Sequence, residues 1–115
     1  MTQLQINTKR QVQDTLETLS SEKLQLSYKK AVPFVHIPNE LAAQWDNYKS
    51  LRGRSWYREI WTDIELIALK EFENDFNQWS KNLGKKWADV PSIFDNKSWQ
   101  ELMKSSQKCL NSISG

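Results

Sequence analysis

Between Thr62 and Gly84 the sequence commits to one long helix, and that commitment limits what else the chain can be. Thr62 followed three residues later by Glu65 is a capping box, each side chain satisfying a free N–H at the helix start. Ile64, Ala68, Phe72, Phe76, Trp79 and Leu83 then recur at steps of four, four, four, three and four along one face. Gly84 follows, the residue that most easily takes the left-handed conformation ending a helix. The spacing predicts a helix of roughly 20 residues, about 30 Å long. Three Gly and three Pro in 115 residues leave little turn punctuation for a many-stranded sandwich or barrel. The expected fold class is all-α, in one compact body.

Six Trp, four Phe and three Tyr offset a mean hydropathy of −0.73, because aromatic side chains bury the most area per residue. A chain this aromatic is not disordered from end to end. Its apolar runs are only a few residues long, far short of the ~20 that a membrane span needs. The start, MTQLQINTKRQVQ, has no apolar block of signal-peptide type, so the protein is expected to stay where it is made, in a reducing compartment. A single cysteine, Cys109, makes neither an internal disulfide nor a zinc site. The single histidine, His36, sits between apolar neighbours and reads as a packed, hydrogen-bonded residue. No GxGxxG, P-loop or HExxH occurs. No cofactor, metal or catalytic residue is therefore expected, and the chain does not read as an enzyme.

Upstream, Thr8 to about Ala31 is predicted helical. Val12, Leu16, Leu19 and Leu26 fall at steps of four, three and seven, a narrow apolar stripe that Lys23 interrupts. Leu24 and Tyr28 form a second, offset pair, and Ser20-Ser21 offers a break into two short helices. Pro33 ends the segment. The stripe is either an intramolecular core face or a docking face for a partner helix. Pro33 to Pro38 is extended or irregular, and Asn39 and Glu40 open a helix to about Lys49, with Leu41, Trp45 and Tyr48 at helical spacing. Ser50 to Arg58 reads as a linker holding Arg52, Arg54 and Arg58 around Gly53, with Trp56 and Tyr57 interleaved. Such an arm either lies in a DNA minor groove or is a solvated loop whose arginines pair with carboxylates.

Charge is distributed in blocks. Residues 1–60 hold nine basic and six acidic residues, 61–84 two and five, and 85–115 five and three. An acidic block between two basic ones fits an acidic helix facing away from a polyanion, or else ordinary solvated faces.

Lys85 to Phe94 is a short apolar-faced element with Pro91 inside it, and any helix there is expected to begin at Asp89 and stay short. Asp95-Asn96 makes a turn. The last helix is predicted from Trp99 to about Asn111, with Ser98 and Glu101 as a second capping box and Trp99, Leu102, Met103 and Leu110 as its buried face. The order resembles the Myb/SANT family, the tryptophan-marked branch of the homeodomain-like three-helix folds. The matching residues are WTDIELIAL at 61–69, GKKWADV at 84–90 and KSWQELMK at 97–104, within a stretch of about 50 residues. The spacing before Trp87 is longer than the family's usual pattern, as in its plant trihelix branch. The family's third tryptophan would fall at about Ser106, so Trp99 or Trp79 must fill that volume. Glu101 would repel phosphate unless it accepts from a cytosine amino group.

The resemblance implies three parts: a helical partner-docking segment over 1–50, a basic arm over 51–60, and a homeodomain-like, Myb/SANT-like module over 61–113. The last helix would lie in a major groove as a helix-turn-helix recognition helix. Lys85, Lys86, Lys97, Lys104 and Lys108 would bind phosphates, and Gln100 or Asn111 would read adenine edges. Arg52, Arg54 and Arg58 sit where a homeodomain carries its minor-groove arm. Binding by one copy would be weak and salt dependent. The implied protein is a small DNA-binding accessory subunit in the nucleus, or at the nucleoid of a bacterium. Its partner protein would dock on Val12, Leu16, Leu19 and Leu26. The Lys/Asn/Gln/Ser-rich composition resembles proteins of ciliates, where small homeobox-like subunits serve a DNA adenine methyltransferase complex; a chromatin complex is the other setting. Two alternatives stand beside it: a SANT-type protein-interaction module without direct DNA binding, and a small helical antitoxin or immunity protein.

Overall fold

In the computed structural model, which describes residues 1–82 and 86–113, the chain is all-helical. Among the described residues there are six α-helices and no strand: α1 (Gln3–Leu19), α2 (Glu22–Ala31), α3 (Ile37–Lys49), α4 (Ser55–Arg58), α5 (Asp63–Asn82) and α6 (Lys97–Ile113). A four-residue 3-10 helix, Ser92–Asp95, precedes α6.

Local side-chain chemistry sets most of these boundaries. Thr2 Oγ1 accepts from the Gln5 N–H at 3.1 Å and Gln5 Oε1 accepts from the Thr2 N–H at 2.8 Å, so a capping box starts α1 well before the expected Thr8. The break at Ser20-Ser21 forms: Ser20 closes α1, and Ser21 Oγ accepts from the Leu24 N–H to open α2. His36 Nδ1 accepts from the Asn39 N–H and so caps α3, with Pro38 in its first turn. Because Nδ1 is an acceptor, Nε2 carries the proton and donates to the Trp87 carbonyl at 3.0 Å. The Thr62–Glu65 box opens α5, at 3.2 and 2.8 Å. The second box does not form. Asn96 Oδ1 accepts from the Trp99 N–H instead, and α6 starts before Ser98 reaches a cap position.

Four helices close a ring around the core in the order α1, α6, α5, α3. Ser106 Oγ, fully buried on α6, donates to the Leu16 carbonyl of α1 at 2.7 Å. Gln13 of α1 donates to the Ile113 carbonyl, so the two helices run antiparallel. α5 and α6 are antiparallel too: Trp79 meets Trp99 at a 54° tilt with centroids 5.1 Å apart, and Ser105 Oγ donates to Asp75 Oδ2. α3 reaches α5 through Trp45, edge-on to Phe72 at 4.7 Å, and reaches α1 where Thr15 meets Gln44 and Tyr48. The buried residues of α6 (Trp99, Leu102, Ser106, Cys109, Ile113) fall at steps of three, four, three and four, a heptad seam. Gln25, also fully buried, donates to the Thr18 and Leu19 carbonyls and so satisfies the end of α1 from α2.

Several expectations are corrected by this packing. Val12, Leu16 and Leu19 are fully buried against the core, which leaves only Leu26 of that stripe exposed; of the two readings of the stripe, the intramolecular one forms. One core cluster runs from Val12 to Ile113, so the segments divided at residues 50 and 60 share it. On α5, Ile64 is 74% exposed while Leu69 is buried. Steps of four overshoot a 3.6-residue turn by about 40° each, so Ile64 lies roughly 120° around the helix from Phe76. Leu83, the last member of that set, falls with Gly84 outside the described residues. On α6, Met103 and Leu110 sit at the shoulders, and the seam is completed by Ser106, Cys109 and Ile113.

The second helix of the homeodomain-like pattern is absent among the described residues; only the 3-10 turn occupies its place. Asp89 withdraws the preceding segment from helix formation. Its Oδ1 accepts from the Val90 and Ile37 N–H groups, and its Oδ2 pairs with Lys29 Nζ at 2.7 Å. Pro91 then lacks an N–H to give. Residues 86–90 thus tie the α2–α3 junction through Asp89 and the Trp87 carbonyl, while the Trp87 ring lies against Trp79 of α5.

Two outcomes follow from these contacts. Ser106→Leu should lower stability by about 1–3 kcal/mol in urea unfolding, since Ser106 is fully buried where α6 meets α1 and added carbons must displace neighbours, and Ser106→Ala by about 0.5–1.5. For Asp89, desolvation pushes the carboxyl up, but the hydrogen bonds from Lys29, Ile37 and Val90 with the Lys29 charge outweigh it and hold it below its ordinary value. A depressed carboxyl stabilises the fold above its unfolded value of about 3.9, and that contribution is lost as pH falls through the folded value. Asp89→Asn should therefore lower Tm at neutral pH, with the gap to the parent protein closing in strong acid.

Candidate nucleic-acid interface

α6 presents one clean outward face. Lys97, Gln100, Glu101, Lys104, Gln107, Lys108 and Asn111 are exposed. At 100° per residue these positions fall within an arc of about 120°, opposite the seam that enters the core. The helix is fixed along its length: α1 lies on one side, α5 on the other, and Asn96 caps its first turn. Its outward side chains are thus presented by a rigid element.

The face is polar throughout. Neither Lys97, Lys104 nor Lys108 enters an ion pair among the described residues. Gln107 Nε2 donates to Asn111 Oδ1 at 2.8 Å, leaving the Gln107 carbonyl oxygen and the Asn111 amide N–H groups outward. Gln100 Nε2 is held by the Phe94 carbonyl at 2.7 Å. Carboxylates stand on both shoulders. Glu22 shares a shallow depression with Lys104, and Glu71 and Asp75 share another with Lys108. These neighbours come from distant parts of the chain, which is why block-by-block charge counting does not find them.

The arginines of the 51–60 segment lie elsewhere. Arg52 pairs with Glu73, a buried carboxylate on α5. Glu73 is about 160° around α5 from Glu71 and Asp75, so Arg52 and the α6 lysines occupy opposite sides of that helix. Arg58 lines the same far side, in the crevice between α3 and α5. Arg54 is exposed at the start of α4. The segment is a turn and a short helix rather than a free arm, and Arg52 takes the carboxylate-paired alternative. A Cβ placed on Gly53 would meet nothing within 4 Å, so no close approach there requires glycine.

Lys86 is exposed, and Lys85 lies outside the described residues. His36 is used structurally at both ring nitrogens. Cys109 is buried in the α6 seam, and burial pushes its thiol up to about 12, so it is protonated at neutral pH. No protein-family model matches this chain, and no curated protein or solved structure matches it.

Proposed function

We propose that the chain is a small DNA-binding accessory subunit that meets duplex DNA through the outward face of α6. The observation that carries this reading is the arc of seven polar residues on a rigid helix, with three lysines in no ion pair among the described residues. Lysines in that state are free to neutralise phosphates. A docking face for another protein would instead be built around buried aromatic or aliphatic anchors. The outward groups of Gln107 and Asn111 match the donor and acceptor pair that an adenine offers in the major groove.

In this reading the interface is α6 alone, with Lys86 as the one further candidate, and Arg52 and Arg58 take no part. Three phosphate contacts make a weak binder, and the carboxylates on the shoulders weaken the local field further. Such affinity suits a subunit held on DNA by a larger assembly, chromatin-associated or DNA-modifying, in a nucleus or at a nucleoid. The second reading, a protein-interaction module, draws on Ile64 and Ile67, which are 74% and 60% exposed on the outer face of α5.

Fluorescence anisotropy with a labelled duplex separates the two. With three lysines the plot of log K against log salt should have a slope near −3, at about −0.9 per phosphate. Lys104→Glu with Lys108→Glu should abolish binding, whereas Arg52→Ala should leave it unchanged. No binding at low salt, or equal binding by the double charge reversal, overturns the DNA reading and leaves the α5 face as the functional surface.

A further inference from the structure

On the side of α5 away from α6, a cleft of about 190 Å³ opens between α3, α4 and α5. We infer that it binds a small organic anion: an apolar ring or short chain carrying one carboxylate or phosphate. The inference is independent of the DNA reading, since none of the α6 residues lines this cleft.

Size and floor come first. Trp45, Tyr57 and Leu69, all buried, form the bottom, and Tyr48 and Leu66 form the half-buried walls. An apolar cavity of about 150 Å³ holds a benzene ring, so this cleft takes one ring and a small head group. The space exists because α3 and α5 are bridged by the Trp45 ring rather than packed backbone against backbone. Trp45 lines the cleft and so reports on its occupancy; its buried indole N–H, like those of Trp61, Trp79, Trp87 and Trp99, has no partner among the described residues.

Charge then selects the ligand. Four cations line the cleft, Lys49, Arg52, Arg58 and Lys70, against one carboxylate, Glu73. That carboxylate is already paired with Arg52. Burying a carboxylate is unfavourable unless it is paired, and the pairing here fixes the guanidinium at the cleft. Lys49 is steadied by Asn77 at 3.2 Å. Arg58 and Lys70 have no ionic partner among the described residues. An apolar floor under an excess of three positive charges rejects a cation, gives a neutral ring only the floor, and gives inorganic phosphate only the rim.

The test is a titration of the full chain followed by 1H–15N NMR, reading the indole N–H resonance of Trp45. The probes are phenyl phosphate and phenylacetate, with benzyl alcohol, benzylamine and inorganic phosphate as controls. The expected result is a saturable Trp45 shift with at least one of the two anionic ring probes, the tighter of them identifying the preferred head group. Arg58→Glu with Lys70→Glu, both exposed positions, should weaken that binding at least tenfold, while Lys104→Glu with Lys108→Glu leaves it intact. A silent Trp45 resonance, equal binding of benzyl alcohol or inorganic phosphate, or indifference to the Arg58 and Lys70 reversal overturns the proposal.

Discussion

The fold depends on how closely α1 can approach α6. Leu16 has a carbonyl that already accepts the Ser20 N–H at 3.0 Å, and its second lone pair takes the Ser106 hydroxyl. A larger residue at 106 would hold the helices apart. The hydroxyl at that place does two things at once: it is small, and it satisfies its own polarity inside a buried seam. The contact joins residues 90 apart in sequence. Closing so long a loop costs little more than closing a short one, because the entropy grows only with the logarithm of length. Its larger effect is on folding speed, which falls as contacts become more distant in sequence.

With α1 seated on one flank and α5 on the other, α6 has a single side left for water, and that side is entirely polar. The same arrangement sends α3 to the far side of α5, where the Trp45 ring holds the two helices apart. The molecule therefore has two surfaces of different kind, separated by the thickness of α5. One is a convex strip of lysines and amides. The other is a concave aromatic cleft with arginine and lysine at its edge. Glu73 belongs to the second, although by sequence it is one more carboxylate in an acidic helix.

Much of this was legible in the residues. The α5 start and the α1–α2 break follow from capping chemistry alone, whereas α3 opens two residues before the expected Asn39, at Ile37, because His36 rather than Asn39 caps it. The misses have definite causes. Thr2 and Gln5 form the same kind of box as Thr62 and Glu65, but no apolar run adjoins them to draw attention. The α6 seam runs through Ser106 and Cys109, residues that do not register as core when apolar character is sought. Asn96 rather than Ser98 caps α6, a difference of two residues between equally good candidates. For Arg52 the sequence leaves the arm and the carboxylate-paired loop both open, because the partner that decides between them lies 21 positions away. Asp89 could not be foreseen as a brace, since its partners Lys29 and Ile37 lie 60 and 52 residues distant. Local rules place helices; they do not say which side chain another helix will meet.

The single cysteine has a consequence of its own. Cys109 faces the seam between α1, α5 and α6, protonated and shut away from solvent. A thiol in that state reacts with an alkylating reagent only during excursions in which the helices part. The chain thus carries a built-in chemical clock, whose rate counts how often the central helix comes loose from its neighbours, and no cysteine has to be introduced to read it.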